Sequence, residues 1–343
     1  MNEVTKIDGI GSSVRRTEDK KFLTGKGRYT DDINRPGQVQ AYFLRSDVAH
    51  AEIKSIDTKA AQSAPGVVGV FTGSDIAADK VGGPICGWVV PCRDGSSTKE
   101  PPHPLLAQGK VRFVGDAVAV VVAETMEQAK SAAELIDVDY NELTPVVDFV
   151  NADKGAQIHE EVPNNCYFDW ELGDESATNK AIESAAKVVK LSVRNNRLVP
   201  NAMEPRSALA EYDSLDESYT LHTTSQNPHL TRLVLAAFMF AIPESKLRVI
   251  APDVGGGFGS KIYVYIEEAV CVWASKKIGR PVKWTADRTQ AFLTDCHGRD
   301  HVNDVQLALD ENNKIIGLRV DTVCNLGAYL SAFSVVVPTI LHG

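Results

Sequence analysis

The sequence lacks several features that would assign it directly to a protein class. Its 343 residues contain no run of about 18 apolar residues, so no membrane-spanning helix is predicted. The stretch from Met1 to Lys6 lacks the apolar character of a secretory signal. The six cysteines are scattered and form no Cys-x-x-Cys pair, which argues against an iron–sulfur cluster or a structural zinc site. We interpret them as free thiols in a reducing compartment, which favours a cytoplasmic location.

Cationic residues are outnumbered as well. Lysine and arginine total 36 against 45 acidic residues, a net charge of −9, which argues against a general nucleic-acid-binding protein. A local basic pocket for a small anionic ligand remains compatible with this charge. The hydrophobic content of 43% and charged content of 24% are usual for a globular protein. The length suffices for two domains, each with its own core.

The apolar pattern predicts a mixed α/β (α+β) protein in two units. In the first unit, strands are expected at 39–45, 51–56, 67–72 and 111–123, with a bulge or turn at Gly115. Thr125 and Gln128 match a capping box, which predicts a helix to about residue 135, followed by a strand at 136–140. The predicted limits are 1–17 for a basic arm, 18–150 for the first domain, 151–174 for a linker and 175–343 for the second domain.

The second unit is predicted to mix strands and helices. A helix should begin at Asn227-Pro228 and run through Phe240, and another should run from about Lys261 to Ile278, ended by Gly279. A further helix is expected at 179–187, with strands at 188–199, 208–212, 219–224, 247–251, 282–285, 305–309 and 315–325. The apolar run 332–341 is predicted to be a strand or helix with nothing downstream to cover it, so we expect the sequence to end inside a domain.

A glycine-rich turn is the strongest candidate for a binding site. Gly255-Gly256-Gly257-Phe258-Gly259 stands between a predicted strand and a predicted helix. Free backbone amides at a helix N-terminus bind phosphate or an oxyanion, and glycine lets a ligand approach the backbone closely. The spacing matches neither GxGxxG nor GxxxxGK[ST], so a dinucleotide fold and a P-loop are not predicted. A packing turn without a ligand is the alternative interpretation.

Other polar residues are candidates for the same site. Gln226, just before a helix, reaches a ligand across a pocket or is simply a surface residue. Glu204 and Arg206 flank a proline and either serve a site or form a structural salt bridge. A cationic group that could bind phosphates is formed by Arg288, His297, Arg299 and His301. The spacing of the two histidines argues against a metal site, because Gly298 interrupts any helix between them.

Several stretches together resemble the large, molybdenum-binding subunit of the molybdenum hydroxylases, the family of xanthine dehydrogenase, aldehyde oxidase and carbon-monoxide dehydrogenase. The resemblance covers nearly the whole chain. The first part resembles the family's α/β hammerhead domain through 13–19, 22–29, 44–46, 49–51 and 111–116. The part from about Asn165 resembles the first half of its cofactor domain through 203–206, 225–229, 254–261, 279–282 and 298–299.

The resemblance implies roles for these residues. The cofactor is a molybdopterin, in bacterial members commonly its cytosine dinucleotide, whose dithiolene holds the molybdenum without a direct protein ligand. Gln226 would contact the oxygen ligands of molybdenum, Phe258 and Gly259 would line the metal site, and Gly255, Gly256, Gly257 and Arg288 would help to bind the cofactor. Electrons would pass to iron–sulfur clusters and FAD on separate subunits, which implies a hetero-oligomer.

Two departures limit what the resemblance implies. The family's glutamate base lies beyond Gly343, so no catalytic residue is expected in this chain and the chain alone is expected to be inactive. Purine-hydroxylating members carry a glutamate where this chain has Ile262, which leaves an aldehyde, an N-heteroaromatic compound or carbon monoxide as the substrate. The alternative function is a truncated or split-gene fragment that acts only in assembly with the remainder of the large subunit. A generic nucleotide-binding enzyme would need a GxGxxG motif, which is absent.

Overall fold

The computed structural model describes residues 9–340, which form three sheets flanked by short helices. The strands are β1 Val39–Arg45, β2 Ala51–Asp57, β3 Val67–Thr72, β4 Lys110–Val111, β5 Ala117–Ala123, β6 Asp137–Glu142, β7 Lys187–Asn195, β8 Ser207–Asp213, β9 Ser218–Thr223, β10 Leu247–Ile250, β11 Val282–Thr285, β12 His301–Leu309 and β13 Ile315–Cys324. The α-helices are α1 Asp19–Leu23, α2 Lys59–Gln62, α3 Gly73–Ala78, α4 Met126–Ala133, α5 Glu175–Ser184, α6 Pro228–Leu233, α7 Ile266–Ile278 and α8 Arg288–Thr294.

One seven-stranded sheet runs through both halves of the chain. Its order is β10-β9-β8-β11-β1-β5-β3, and β1 joins β11 in parallel through Val39 opposite Val282. The side chains follow the backbone, because the rings of Phe43 and Trp284 meet edge to face at 5.9 Å. A large core cluster therefore takes residues from both halves. Two smaller clusters lie within the first half, so the halves share the large cluster but not every part of the core.

The first half follows its sequence pattern closely. All seven residues of β5 are buried, because β5 lies between β1 and β3 with α4 and the shared core on its two faces. Gly115, at φ +105°, separates β4 from β5, as predicted. The capping box is confirmed: Gln128 N donates to Thr125 Oγ1 at 3.2 Å, and Thr125 N donates to Gln128 Oε1 at 3.1 Å. Helix α4 ends at Ala133, two residues earlier than expected.

Three helices of the second half depart from the prediction. Helix α5 covers Glu175–Ser184 and not 179–187, because Asp174 caps it by accepting from Ala177 N. Helix α6 begins at Pro228 with Asn227 as its cap, but from Val234 to Met239 the chain forms a π-helical turn instead of continuing as an α-helix to Phe240. Helix α7 begins at Ile266, not at Lys261. Ser260–Ile262 form a single 3-10 turn, and Tyr263 is extended. Gly279 ends α7 at φ +73°, as predicted.

The apolar segment near the end of the described chain forms turns, so the prediction of a strand or helix there is wrong. Val335 in this segment is fully buried against Cys86, Val90 and Leu330. The segment is therefore covered within the described chain by the loop at 82–104. Residues 1–8 of the predicted arm and Leu341 at the end of the apolar run lie outside the described residues.

The remaining sheets are smaller. β4-β2-β6 belongs to the first half, and β13-β12-β7 belongs to the second half, with α5 packed beside it. Short 3-10 turns occur at Thr30–Asp32, Phe149–Lys154, Pro163–Asn165 and Glu244–Lys246. Within residues 9–340, none of the helices combines the length and the apolar character needed to cross a membrane.

Candidate functional site

The glycine turn and Gln226 meet because of the sheet topology. β9 and β10 are parallel neighbours, with Tyr219 opposite Leu247, so their carboxyl ends lie at the same edge of the sheet. Gln226 follows β9, and the turn at 253–261 follows β10. Gln226 N donates to Lys261 O at 2.8 Å, which links the two loops. Gln226 is therefore part of the turn's surroundings, not only a surface residue.

The turn needs glycine for two reasons, a left-handed backbone at some positions and close packing at another. Gly256 and Gly259 have φ of +96° and +89°, in the left-handed region that glycine adopts without strain. Gly257 is required for a different reason. A Cβ atom there would lie 2.3 Å from Gln226 Oε1, so only hydrogen fits beside this amide. Phe258 has φ +50° in spite of its side chain, which is 74% exposed.

Part of the turn's hydrogen-bonding capacity is unused. Gly259 N donates to Gln226 Oε1 at 3.1 Å, and Gly255 N donates to Glu204 Oε2 at 2.7 Å. Between them, the amides of Gly256, Gly257 and Phe258 donate to no acceptor in the described part of the chain. Three successive free amides beside a side-chain amide fit an anionic or oxo group. The helix N-terminus predicted for this anion site is wrong, because α7 begins seven residues after Gly259.

Glu204 and Arg206 do not pair with each other. Glu204 accepts from Lys261 Nζ at 2.9 Å, and this places it directly behind the turn. Arg206 instead donates to Glu267 Oε2 at 2.7 Å and to Asp295 Oδ1 at 2.6 Å, in a site where all three side chains are buried. A salt bridge between Glu204 and Arg206, one of the two interpretations, is therefore not formed, although each residue pairs with another charge.

Glu267 joins the two halves of the chain electrostatically. Its Oε1 accepts from Arg45 on β1 at 2.6 Å, while Arg206 binds it from the second half. Burial raises the pKa of this carboxyl group, but Arg206 and Arg45 outweigh that effect and lower the pKa to about 2. Arg206 also lies over the ring of Tyr265 at 3.7 Å. The phenol of Tyr265 donates to Ser260 O at 2.6 Å, which connects the buried charges to the end of the turn.

Arg288 reaches the same region from the opposite side. It donates to Asn201 Oδ1 at 2.6 Å and to Met203 O at 3.1 Å, in the segment that leads to Glu204. The other predicted cations lie in different surroundings: His297 accepts from Arg197 at 2.7 Å, Arg299 is exposed, and His301 is buried in β12. The structure does not show them as one phosphate-binding cluster. Within residues 9–340, no group of three or more His, Cys, Asp or Glu side chains is arranged to hold a metal ion.

Sequence reasoning did not anticipate a role for Glu268, the neighbour of Glu267. Its carboxyl group accepts from Thr223 Oγ1 at 2.5 Å and from Tyr265 N at 3.0 Å. Burial raises its pKa from 4.5 to about 7, because the hydrogen bonds do not compensate for the loss of water. A carboxylate in the first turn of a helix is a common cap, so the sequence contained a signal for its position but none for its burial.

We expect Glu268 to make the protein less stable as the pH rises. The folded protein holds this proton more tightly than the unfolded chain, so the stabilisation is complete below about pH 4.5 and is lost as the pH rises through about 7. In the wild type, the free energy of unfolding should fall by about 3 kcal/mol between these pH values because of this group, and in Glu268→Gln that fall should be absent. Urea unfolding across this range measures it. The exposed Glu311→Gln is the control, and equal slopes for the wild type and Glu268→Gln would contradict the prediction.

Comparison with known protein families assigns both halves of the chain. Residues 158–343 match the family model of the molybdopterin cofactor-binding domain. Residues 24–144 match the a/b hammerhead domain of aldehyde oxidase and xanthine dehydrogenase. The predicted fold, a hammerhead domain followed by a molybdopterin-binding domain, is confirmed.

Curated relatives and solved structures agree with this assignment. The carbon monoxide dehydrogenase large chain of Afipia carboxidovorans is 35% identical, with 94% of this chain and 40% of the relative covered. The nicotine 6-hydroxylase large subunit of Paenarthrobacter nicotinovorans is 35% identical over 93% of this chain and 38% of the relative. Quinoline 2-oxidoreductase from Pseudomonas putida 86 superposes with a TM-score of 0.82 at 36% identity, covering 94% of this chain and 40% of that chain. This chain thus spans about 40% of the length of these relatives.

Proposed function

Since the chain belongs to the family of molybdopterin-binding large subunits of the molybdenum hydroxylases, we propose that it forms one wall of a molybdopterin site in such an enzyme. The reaction would oxidise an aldehyde, an N-heteroaromatic compound or carbon monoxide, with water as the source of oxygen. The observation that carries this proposal is the contact of Gln226 with the glycine turn beside three free amides.

The residues present fit such a group. The amides of Gly256, Gly257 and Phe258 would donate to oxygen atoms of the cofactor, and the side-chain amide of Gln226 would donate to an oxygen bound to the metal. Gly255 and Gly259 would hold the ends of the turn, and Arg288 would supply positive charge nearby. The molybdenum cofactor supplies two-electron redox chemistry when it is bound. Fixed amide dipoles favour negative charge at this position because they need no reorganisation during the reaction.

The finer features of the enzyme are also proposals. We infer the cytosine dinucleotide form of molybdopterin, iron–sulfur and FAD subunits as separate partners, and a cytoplasmic location. The relatives named as a large chain and a large subunit support separate partner subunits. The catalytic base would come from the remainder of the large subunit. Ile262, half-buried in the 3-10 turn after Gly259, supports a substrate other than a purine, because it offers no carboxylate.

The proposed function is tested by the metal content of the assembled enzyme. The chain, purified with its natural partner subunits, should contain about one molybdenum atom per copy, measured by mass spectrometry of the metal. Gln226→Ala should retain the fold and lower turnover about 100-fold, the loss expected for one group that stabilises charge in the transition state. Circular dichroism provides the control for folding.

Two outcomes would contradict the proposal. An assembled complex without molybdenum would favour a fragment that acts only in assembly. Unchanged turnover of Gln226→Ala would remove the role assigned to that residue.

A further inference from the structure

Lys261 lies behind the glycine turn, where its ammonium group binds Glu204 and its backbone oxygen binds Gln226. Its side chain is 1% exposed, and its ammonium group donates to Glu204 O at 2.7 Å and to Glu204 Oε2 at 2.9 Å. The same Oε2 accepts from Gly255 N at 2.7 Å, and Glu204 N donates to Gly255 O at 3.1 Å. The backbone oxygen of Lys261 accepts from Gln226 N. One residue therefore connects the first glycine of the turn with Gln226 on the other side of the site.

A contribution to stability is a weak explanation for this arrangement. Removing an ammonium group and a carboxylate from water costs about as much free energy as their attraction supplies. Apolar side chains of similar size can often replace such a pair without lowering the stability. The cost is visible at Lys261, where burial lowers the pKa of the ammonium group in spite of Glu204. Glu204 Oε1, in addition, is buried without a hydrogen-bond partner. Geometry explains the pair better, because a charged hydrogen-bonded pair is rigid and directional.

The two ends of the turn are held by different groups. Ser260 O accepts from the phenol of Tyr265, so the end after Gly259 is anchored independently of Lys261. The end at Gly255 is held by hydrogen bonds to Glu204 alone among the described residues. Loss of the ammonium group would leave the Glu204 carboxylate buried with Gly255 N as its remaining partner. The segment that carries the three free amides would then lose its fixed distance from Gln226.

We propose that Lys261 and Glu204 are positioning residues, which set the distance between the free amides of the turn and the side chain of Gln226. They act through Gly255 and Gln226 and do not themselves contact the cofactor or the substrate. This inference rests on the proposed function, because it assigns these residues to the molybdopterin site.

The test compares two buried lysines. Lys261→Met removes the ammonium group at the turn. Lys283→Met removes another buried ammonium group, which donates to Asp31 O at 2.6 Å and Ile33 O at 3.2 Å, pairs with the exposed Asp31 carboxylate at 3.1 Å and makes no hydrogen bond to residues 255–259. The exchange rate of the Gly255 amide, which is hydrogen-bonded to Glu204, is measured in the full chain, and the molybdenum content is measured in the assembled complex.

We expect Lys261→Met to speed exchange of the Gly255 amide about tenfold or more and to lower molybdenum occupancy about 10- to 100-fold, while Lys283→Met changes neither.

A second pair of variants keeps the test decisive if Lys261→Met fails to fold. Glu204→Gln retains an oxygen that accepts from Gly255 and from Lys261, so it should retain slow exchange of the Gly255 amide. Glu204→Ala should lose it. Exchange within twofold of the wild type in both Lys261→Met and Glu204→Ala, or equal opening of the turn in Lys283→Met, would overturn the proposal. A wild-type complex without molybdenum would refute the proposed function instead, and the exchange data would still decide the positioning role.

Discussion

Replacing Arg206 by methionine should lower the free energy of unfolding by about 3–5 kcal/mol, the loss expected when one partner of a buried charge network is removed. Glu267 and Asp295 are both buried, and each accepts a hydrogen bond from this guanidinium group. In the variant Asp295 loses its ion-pair partner. Glu267 loses one of its two cationic partners and keeps Arg45, so both carboxylates are affected.

The effect is predicted to be large because the site excludes water. Arg206 also lies near the rings of Tyr265 and Trp284, at 3.7 Å and 5.1 Å from their centres, so methionine would fill much of its volume but supply no charge. The part of the loss that comes from packing should therefore be small. Urea unfolding at pH 7 measures the difference in free energy.

Arg232→Met is the matched control. Arg232 pairs with Glu244 at 2.9 Å, but both side chains are about 40% exposed. An exposed ion pair contributes about 0–1 kcal/mol, so this variant should unfold almost as the wild type does. A loss below about 1 kcal/mol for Arg206→Met would show that the buried network does not support the fold.

Replacing Gly257 by alanine should damage the site without unfolding the protein. The new Cβ atom would lie 2.3 Å from Gln226 Oε1 and 2.4 Å from Gln226 Cδ. These atoms are the end of a flexible side chain, so Gln226 can swing away at little cost in stability. It would then lose its hydrogen bond from Gly259 N and its place beside the free amides. A displacement of about 1 Å can cost about 100-fold in rate, so we expect a comparable loss of turnover in the assembled enzyme.

Two comparisons isolate the contact between Gly257 and Gln226. Gly298→Ala has no atom within 4 Å of the added carbon and should leave turnover unchanged. The double variant Gly257→Ala, Gln226→Ala should be no slower than Gln226→Ala alone, because the contact that alanine disrupts is already gone. Independent, additive losses would contradict the mechanism proposed for Gly257.

The pattern of apolar and polar residues predicted an element well where a strand has clear limits or a helix has a recognisable cap. The limits of β1, β3 and β11 match the prediction, and the cap at Thr125 and the end of α7 at Gly279 were also recognised. Each depends on residues within a few positions of one another. The short helices α2, α3 and α8 were not predicted, because four to seven residues carry too little periodicity.

The candidate site was predicted in its residues more than in its geometry. The turn, Gln226 and Arg288 were identified from the residue pattern, the family resemblance gave them roles, and the structure brings Gln226 and the turn into contact. The start of α7 was predicted too early because a glycine turn before an apolar run is also typical of a helix that begins directly after the glycines. Tyr265 has an extended backbone and caps the helix instead, and its N–H donates to Glu268.

The sequence by itself determined the class of the protein, the order of its elements and the residues of its glycine turn, because these depend on composition and on neighbours along the chain. Only the tertiary structure decided which charges pair. Arg206 selects Glu267 and Asp295, 61 and 89 residues away, and not Glu204, which is two residues away. It also decided that one sheet and one core run through both halves. Such choices depend on which strands become neighbours, and no local pattern records that.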